Sequence, residues 1–482
     1  MTAGPAHTSE RAPGWLRHRD ALRLQRRVDS ALRIARRTGR PVLASVTSAL
    51  PGPVDPTGVV CASRRPGEPW QCLEQPDREG FAIAGAGCAQ ELTARGPRRF
   101  EEVAAAWRAL VADAAADAPT GPHGAGITAL CGFSFAPEPG GGPLWERFAP
   151  ASLIVPEVLL LRRGGRAWLT VTMSVAPDDT ADGVLARVNT RLAELRAAAL
   201  PMLDPSPTGA YEVRSAMPAV HYEEAVARAV QRIRAGELEK VVLAREVQVH
   251  APADHDPAAV FGVLRDGFGS CFVYAVGRGE TCFVGATPEL LIRREGQRAS
   301  TVALAGSTRR SADPSVDDHL AERLLHHGKD REENAIVARR IVRELQPLSV
   351  WVAAAPEPVV IRVANIQHLA APIRAQLAEP VGVLELAGRL HPTPAIGGEP
   401  GDVAQQLIPA LEGFDRGWYA GAVGWVDQTD DGELCVALRC ALIDGATAHC
   451  FAGCGIVADS DPASELAETE VKLGALLPVL AG

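Results

Sequence analysis

Residues 169–175 read Leu-Thr-Val-Thr-Met-Ser-Val, an unbroken alternation of apolar and polar side chains. A period of two places successive side chains on opposite faces of a β-strand. Other short alternating or apolar runs occur at 41–46 and 127–135, and turns containing Gly and Pro separate them. From residue 41 to about residue 205 the sequence therefore predicts antiparallel strands, with one long helix at 100–115.

Outward from this region, the sequence predicts strands mixed with a few long helices. Helical periodicity at 221–235 and 320–345 predicts two long helices, and the Arg-rich segment 21–28 predicts an exposed helix with a solvated basic face. Strands are predicted at 241–250, 359–363, 420–426 and 434–442, and a linker at 203–215. This pattern favours an α+β architecture of sheets backed by helices, divided into an N-terminal segment (1–40), an N-terminal half (41–205) and a C-terminal domain (206–482).

Composition limits the function classes. The chain has 482 residues, of which 47% are hydrophobic and 22% charged, enough for a large core in one oversized domain or two half-domains. A net charge of −9 argues against a broad nucleic-acid or anionic-membrane surface. Ten cysteines without a CxxC pair are predicted to be reduced core residues. No apolar run suits a signal peptide or a membrane span, so we expect a cytoplasmic protein.

Two acidic segments have helical spacing. Asp330 and Glu333 lie three residues apart, as do Glu465 and Glu468, so each pair shares a helix face. If the two helices face each other, four carboxylates converge, and their like charges repel unless a divalent cation lies between them. Mg²⁺ is the expected ion.

Three further side chains are candidates for acid–base or anion chemistry. Lys240 opens an apolar run and is either a solvated strand residue or a base in a closed pocket. Glu289 ends a Gly-Ala-Thr-Pro-Glu turn and is either a cap or an acid with a raised pKa. Arg439 is predicted at the centre of an apolar strand, where it must pair with a carboxylate of the protein or of a ligand.

Two glycine turns and two histidines are less specific. The turns at 305–307 and 453–455 let backbone N–H groups approach an anion, although such turns are usually structural. His368 and His391 stand alone, without metal-ligand spacing, so a structural role is the default for each.

Taken together, these segments resemble the chorismate-utilising enzymes, the family of isochorismate, salicylate, anthranilate and aminodeoxychorismate synthases. The resemblance spans 222–480, and Gly-Phe-Ser-Phe at 132–135 extends it weakly into the N-terminal half. It implies two large antiparallel β-sheets in a sandwich flanked by helices. The blocks that carry it are 240–245, 283–291, 304–307, 329–331, 367–369, 390–395, 416–421, 451–457 and 465–472.

The resemblance also implies a reaction. Aminating members usually carry Gln at the position of Lys240, and aminodeoxychorismate synthases carry a nucleophilic lysine at the position of Ala305, so this chain has the water-activating pattern. Lys240 would deprotonate the water that attacks C2 of chorismate, and Glu289 would protonate the departing C4 hydroxyl. The implied enzyme is an isomerase that forms isochorismate.

The resemblance assigns the remaining site residues. It implies that Glu333 and Glu468 hold Mg²⁺, assisted by Asp330 and Glu465. It implies that Arg439, Tyr419, Lys472 and the Gly453 backbone receive the enolpyruvyl carboxylate. The full set of implied substrate-binding residues is Ala305, Gly306, Ser307, His368, Tyr419, Arg439, Gly453 and Lys472.

Three positions depart from the family pattern. Asn334 stands where the family usually has His, and Cys454 stands where it usually has Ala. Ala371 stands where the family often has Thr or Ser. None of them removes a proton-transfer or metal group. A salicylate synthase, which shares the base, acid and metal set but also eliminates pyruvate, and a silent chorismate-binding paralogue remain alternatives. We expect a monomer without a glutamine amidotransferase subunit.

Overall fold

The computed structural model describes residues 14–118, 120–138, 140–204 and 207–481. Residues 1–13 of the predicted N-terminal segment, and the predicted domain boundary at Pro205 and Ser206, lie outside the described residues. None of the described helices has the length and apolar character that a bilayer span requires.

The larger of the two sheets has thirteen strands within the described residues, antiparallel except where β1 pairs with β5. The strand order is β10-β11-β23-β22-β13-β12-β2-β3-β8-β9-β1-β5, with β19 added on β11. Strands that follow residue 205 form one half of the sheet and strands that precede it form the other half, and the two halves meet where β12 pairs with β2. The strands are β1 (Val42–Ala49), β2 (Trp70–Gln75), β3 (Phe81–Ala86), β5 (Ala115–Ala116), β8 (Val158–Arg163), β9 (Arg166–Val175), β10 (Glu212–Ser215), β11 (Lys240–His250), β12 (Phe272–Arg278), β13 (Thr281–Thr287), β19 (Gly398–Glu399), β22 (Cys440–Asp444) and β23 (Thr447–Ile456).

The second sheet has ten antiparallel strands within the described part of the chain, in the order β16-β18-β15-β14-β21-β20-β6-β7-β4, with β17 added on β18. The strands are β4 (Gln90–Ala94), β6 (Thr128–Phe133), β7 (Ala151–Val155), β14 (Leu290–Glu295), β15 (Arg298–Arg309), β16 (Ser349–Ala354), β17 (Val359–Arg362), β18 (Ile366–Leu377), β20 (Ala422–Asp427) and β21 (Gly432–Val436).

The helices flank these sheets, as the α+β prediction requires. They are α1 (His18–Thr38), α2 (Pro56–Ser63), α3 (Arg99–Ala112), α4 (Ala181–Ala193), α5 (Ala219–Arg234), α6 (Pro257–Gly267), α7 (Pro314–His326), α8 (Gly328–Leu345), α9 (Val383–Leu390), α10 (Gly401–Glu412), α11 (Pro462–Leu473) and α12 (Leu477–Leu480).

The main core lies between the two sheets and is closed by an aromatic cluster. The buried Trp418 ring packs edge-on against Phe148 and Phe283, with centroids 5.2 and 6.4 Å away. Gly132 on β6 leaves room for that ring, because a Cβ there would lie 1.8 Å from Trp418 Cζ3. The glycine of the Gly-Phe-Ser-Phe block is thus a packing requirement of the sandwich.

The helix predicted at 320–345 is wrong as a single element. It is two helices, α7 and α8, which meet at His327. His327 has an extended backbone (φ −75°, ψ 116°), and Gly328 follows it. Glycine is a poor helix former, and the break lets α8 start in a new direction. The apolar periodicity continues across the break, which is why the sequence pattern did not show it.

The strand predicted at 434–442 is also wrong. It is two strands, β21 and β22, which belong to different sheets. Arg439 lies between them with φ +48°, so it is at a crossover and not at the centre of a strand. Apolar residues on both sides of the crossover are buried, and burial alone gave the appearance of one continuous strand.

Three smaller predictions are corrected. The predicted linker ends in β10, which pairs with β11 at the edge of the large sheet. The Arg-rich helix is α1, which is longer than predicted and buries one face, including Leu24 and Val28. The cysteines are free, but Cys88 is exposed and does not belong to the core.

A buried ion pair connects the helices to the strand that begins with Lys240. Arg416 and Glu412 lie 2.5 Å apart and are both almost fully buried. Arg416 also donates to the carbonyl oxygens of Val242 and Ile396, and Glu412 accepts from the Ala244 amide at 2.7 Å. The pair therefore fixes β11 against α10.

Replacing Glu412 with Ala should destabilise the fold by about 3–5 kcal/mol, because the Arg416 guanidinium would remain buried without its carboxylate. Urea denaturation followed by circular dichroism measures the loss. The matched control is Glu332→Ala, which removes a carboxylate from the exposed pair with Arg339. That change should alter stability by at most about 0.5 kcal/mol. Equal effects of the two substitutions would contradict the role of the buried pair.

Candidate active site

A single cavity lined by strands of both sheets collects most of the predicted site residues. It is lined by elements that are far apart in sequence, including β11, β15, β18, β23, α8 and α11. All eight predicted substrate-binding residues line it, together with three predicted catalytic or metal-binding residues: Ala305, Gly306, Ser307, His368, Tyr419, Arg439, Gly453, Lys472, Glu289, Glu333 and Glu468.

Lys240 lies immediately behind the cavity wall. It is the first residue of β11 and is fully buried, which excludes the solvated-strand alternative. Its Nζ lies 2.9 Å from Glu333 Oε1, at an angle outside hydrogen-bond geometry within the described structure. Gly455 makes this approach possible, because a Cβ there would lie 2.1 Å from Glu333 Oε1 and 2.8 Å from Lys240 Cε. The amine is thus held next to a carboxylate and away from bulk water.

Glu289 is a buried carboxyl group that can retain its proton near neutral pH. Its backbone amide contacts Thr287 Oγ1 at 3.2 Å, and its carbonyl accepts from the Val436 amide at 2.9 Å. Burial raises the pKa of Glu289 to about 7, although the positive charges of Lys240, Arg439 and Lys472 oppose the rise. The cap alternative gives no reason for the side chain to line the cavity.

Arg439 presents a guanidinium to the cavity without a protein carboxylate. It forms no ion pair with any described residue, and its Nη2 donates to His368 Nε2 at 3.1 Å. Burial, with the charges of Arg439 and Lys472, lowers the pKa of His368 to about 3, so the imidazole is neutral and can accept this bond. A buried arginine without an anionic partner can be satisfied by an anionic ligand.

Tyr419 and Lys472 complete the polar end of the cavity. The Tyr419 ring stacks on Phe451 with centroids 5.2 Å apart, and its hydroxyl would lie 3.0 Å from a Cβ at Gly453. Lys472 Nζ donates to the Gly453 carbonyl at 2.8 Å and pairs with Glu468 at 2.7 Å. Gly453 therefore allows the close approach of a phenol and an ammonium group.

The four predicted metal-binding carboxylates are brought together on α8 and α11, but their positions differ. Glu333 and Glu468 line the cavity, whereas Asp330 and Glu465 lie outside its lining. Glu468 accepts a bond from Ser307 Oγ at 2.8 Å. Burial raises the pKa of Asp330 and of Glu465, and neighbouring carboxylates add to each rise. This accumulation of negative charge is what a divalent cation would relieve.

The oxygen donors suit a hard divalent cation. Among the described residues, donor atoms of Glu465, Glu468 and the Cys454 thiol lie within 4.8 Å of one another, so this group contains two of the four predicted carboxylates but not Glu333 or Asp330. Although burial alone would raise it, the pKa of Glu468 is held at about 2, first by Lys472, so this carboxylate is ionised and available as a ligand. Carboxylate oxygens are the ligands that Mg²⁺ prefers, and the residues present fit it.

Two structural contributors were not anticipated. The Asn334 side chain donates to the carbonyl oxygens of Ala303, Ala305 and Leu369 at 3.0–3.3 Å and closes the irregularity between β15 and β18. Lys329 pairs with Glu465 at 2.8 Å. A compositional signal could have found Lys329: only three of the 49 basic residues are lysines, and they are Lys240, Lys329 and Lys472.

The known proteins that this chain is similar to indicate one family. The family model for chorismate binding enzymes matches residues 29–481. The chain is 38% identical over 453 residues to the salicylate biosynthesis isochorismate synthase of Pseudomonas aeruginosa, covering 94% of this chain and 93% of that one. It is 35% identical over 351 residues to the isochorismate synthase MenF of Bacillus subtilis, covering 73% and 74% of the two chains.

Solved structures agree with the sequence relatives. MenF, the menaquinone-specific isochorismate synthase from Escherichia coli, superposes with a TM-score of 0.76 at 26% identity, covering 95% of this chain and all of that one. The likeness extends through both sheets and confirms the predicted fold. The match of the family model to nearly the whole chain, with the fold and cavity described above, shows that this protein belongs to the chorismate binding enzyme family.

Proposed function

We propose that this protein is an isochorismate synthase, which converts chorismate reversibly to isochorismate. The observation that carries the proposal is one cavity lined by a carboxyl group with a raised pKa, Glu289, and by an arginine without a protein anion, Arg439, with the buried amine of Lys240 directly behind its wall, 2.9 Å from Glu333. Relatives named as isochorismate synthases support it.

Lys240 is the proposed base. In its neutral form, Nζ takes a proton from a water molecule, whose oxygen then bonds to C2 of chorismate while the ring double bonds shift. Burial of the amine behind Gly455 keeps other water away from it and limits the directions in which it can accept a proton. A lysine in this place fits water addition, whereas ammonia addition needs no base.

Glu289 is the proposed acid. Its carboxyl proton passes to the C4 hydroxyl as the C4–O bond breaks, and the hydroxyl leaves as water. One water therefore enters and one leaves, so the reaction is an isomerisation without a net change in composition. A carboxyl pKa of about 7 allows both donation and reprotonation near neutral pH, as a reversible reaction requires.

The two carboxylates of the substrate need separate partners. We assign the enolpyruvyl carboxylate to Arg439, Tyr419, Lys472 and the Gly453 backbone, where donors are concentrated. His368 is neutral and extends this polar wall. Ala305, Gly306 and Ser307 also line the cavity, and we assign them to the substrate ring.

Mg²⁺ is the proposed metal, held by Glu333 and Glu468 with Asp330 and Glu465 as outer supports. When bound, it would neutralise the ring carboxylate of chorismate and fix the ring for reaction. The protein's part is to supply ionised oxygens: Ser307 orients Glu468, and Lys240 borders Glu333. The acids would hold the metal ion, and the metal ion would bind the anionic substrate, which explains why a site for an anion contains so many carboxylates.

The direct test is to incubate the purified protein with chorismate and Mg²⁺, with and without EDTA, and to separate the products by chromatography. We expect a mixture of chorismate and isochorismate that disappears when EDTA is present. Salicylate with pyruvate would instead identify a salicylate synthase. Unchanged chorismate in the presence of Mg²⁺ would support a silent chorismate-binding protein and contradict the proposal.

Replacing Lys240 with Ala should lower kcat by about 10²–10⁴-fold, because no other group takes the proton from water. Steady-state kinetics measures the effect, and circular dichroism verifies the fold. The control is Arg245→Met, which removes a cation from the same strand, where it pairs with Glu470 outside the cavity. That variant should retain kcat within about twofold. Near-normal turnover of the Lys240 variant would refute the base assignment.

The proton on Glu289 has a consequence for stability. Its folded-state pKa of about 7 exceeds the ordinary value of 4.5, so its stabilising contribution is complete below pH 4.5 and is lost as the pH rises through 7. Relative to Glu289→Gln, which cannot titrate, the wild-type protein should lose about 2 kcal/mol between pH 5 and pH 8. Urea denaturation of both proteins at the two pH values measures this difference, and a constant difference would show that Glu289 titrates normally.

A further inference from the structure

Lysine is almost absent from this chain, and its distribution is not random. Three of the 49 basic residues are lysines, and the rest are arginines. All three lysines pair with carboxylates of the candidate site: Lys240 with Glu333, Lys472 with Glu468, and Lys329 with Glu465. Elsewhere in the printed sequence every cation is an arginine.

A solvated surface accepts either cation, because both side chains keep their charge in water. The two differ where the charge is enclosed. An ammonium is a compact point charge with three rotatable donors, whereas a guanidinium is a planar fork that requires more space and a fixed orientation. A chain that otherwise uses arginine throughout retains lysine where the head group must be small.

We propose that Lys329 is a positioning residue for the metal centre, a role that rests on the proposed function. Lys329 does not line the cavity. It acts through its ion pair with Glu465, which joins the first turn of α8 to the first turn of α11.

The spacing along the helices explains how this contact acts. Lys329 precedes Glu333 by four residues on α8, and Glu465 precedes Glu468 by three residues on α11. Residues at these spacings lie on one helix face. The ion pair is therefore one turn away from the cavity carboxylates on both helices, and it sets the distance at which Glu333 and Glu468 face each other.

The surroundings of Lys329 favour a small head group. The Lys329 side chain is 28% exposed, and the Glu465 side chain is almost completely buried. Besides Glu465, the charges of Glu333 and Glu468 act on it. A compact ammonium bonds to Glu465 and is attracted by the other two carboxylates whichever way it is turned. A guanidinium would engage Glu465 through its flat edge and displace one helix from the other.

The test uses Mn²⁺ as a spectroscopic probe of the centre in the full-length protein. Free Mn²⁺ is measured by electron paramagnetic resonance during titration of the wild type and of Lys329→Arg. The variant keeps the charge and changes only the head group, so a purely Coulombic role predicts equal affinity. We expect at least tenfold weaker Mn²⁺ binding, in the range that supporting residues of metal sites show. The control is Arg331→Lys. Arg331 lies on the same helix as Lys329 and forms an exposed ion pair with Glu357, so this change of head group should leave the affinity unchanged.

A second variant guards against misfolding of the first. Lys329→Met removes the charge and also the ion pair with Glu465. A purely Coulombic role predicts Mn²⁺ binding at least as tight as in the wild type, whereas the positioning role predicts weaker binding and a kcat at least tenfold lower. Wild-type affinity in Lys329→Arg, or wild-type kcat in Lys329→Met, overturns the proposal. If the wild type binds Mn²⁺ but forms no isochorismate, the proposed function fails, and the affinity ratio still decides the role of Lys329. A wild type that binds no Mn²⁺ overturns the metal assignment together with this inference.

Discussion

The site depends on charge balance inside a low-dielectric interior. Carboxylates on α8 and α11 lie at a cavity lined by strands of both sheets, where unpaired buried charges cost several kcal/mol each. Lysine ammonium groups on β11, α8 and α11 lie against three of those carboxylates. Removing the lysine or the carboxylate of one pair would leave the other charge buried without a partner, at the same free-energy cost. The arrangement thus couples the stability of this region to the groups that the proposed chemistry uses.

The sandwich supplies the rigidity that such an arrangement needs. The Glu412–Arg416 pair fixes β11, the strand that begins with Lys240. The crossover at Arg439 brings a guanidinium from the boundary between the two sheets into the cavity. Glu412 ends α10, and Arg439 lies in the short connection between β21 and β22, so both features are attached directly to regular elements of the sandwich and do not depend on long loops.

Much of this structure was predictable from local pattern. Alternating runs such as 169–175 gave the strands, and acids at helical spacing gave the carboxylate cluster, because both follow from the geometry of a single element. The failures have a common cause. The break at His327 and the crossover at Arg439 are set by contacts between distant elements, which local periodicity does not contain. Lys329 was missed because its role depends on Glu465, more than a hundred residues away in sequence.

The rarity of lysine also affects how the protein can be modified. Reagents and enzymes that act on primary amines find no lysine on the described surface beyond the three that pair with carboxylates of the site. Lys240 is fully buried, and Lys329 and Lys472 are engaged in ion pairs. Acylation or amine-directed cross-linking of the folded chain would therefore be confined to any α-amine and to these partly enclosed side chains. Amine chemistry that is a nonspecific label for most proteins would act here as a probe of the site.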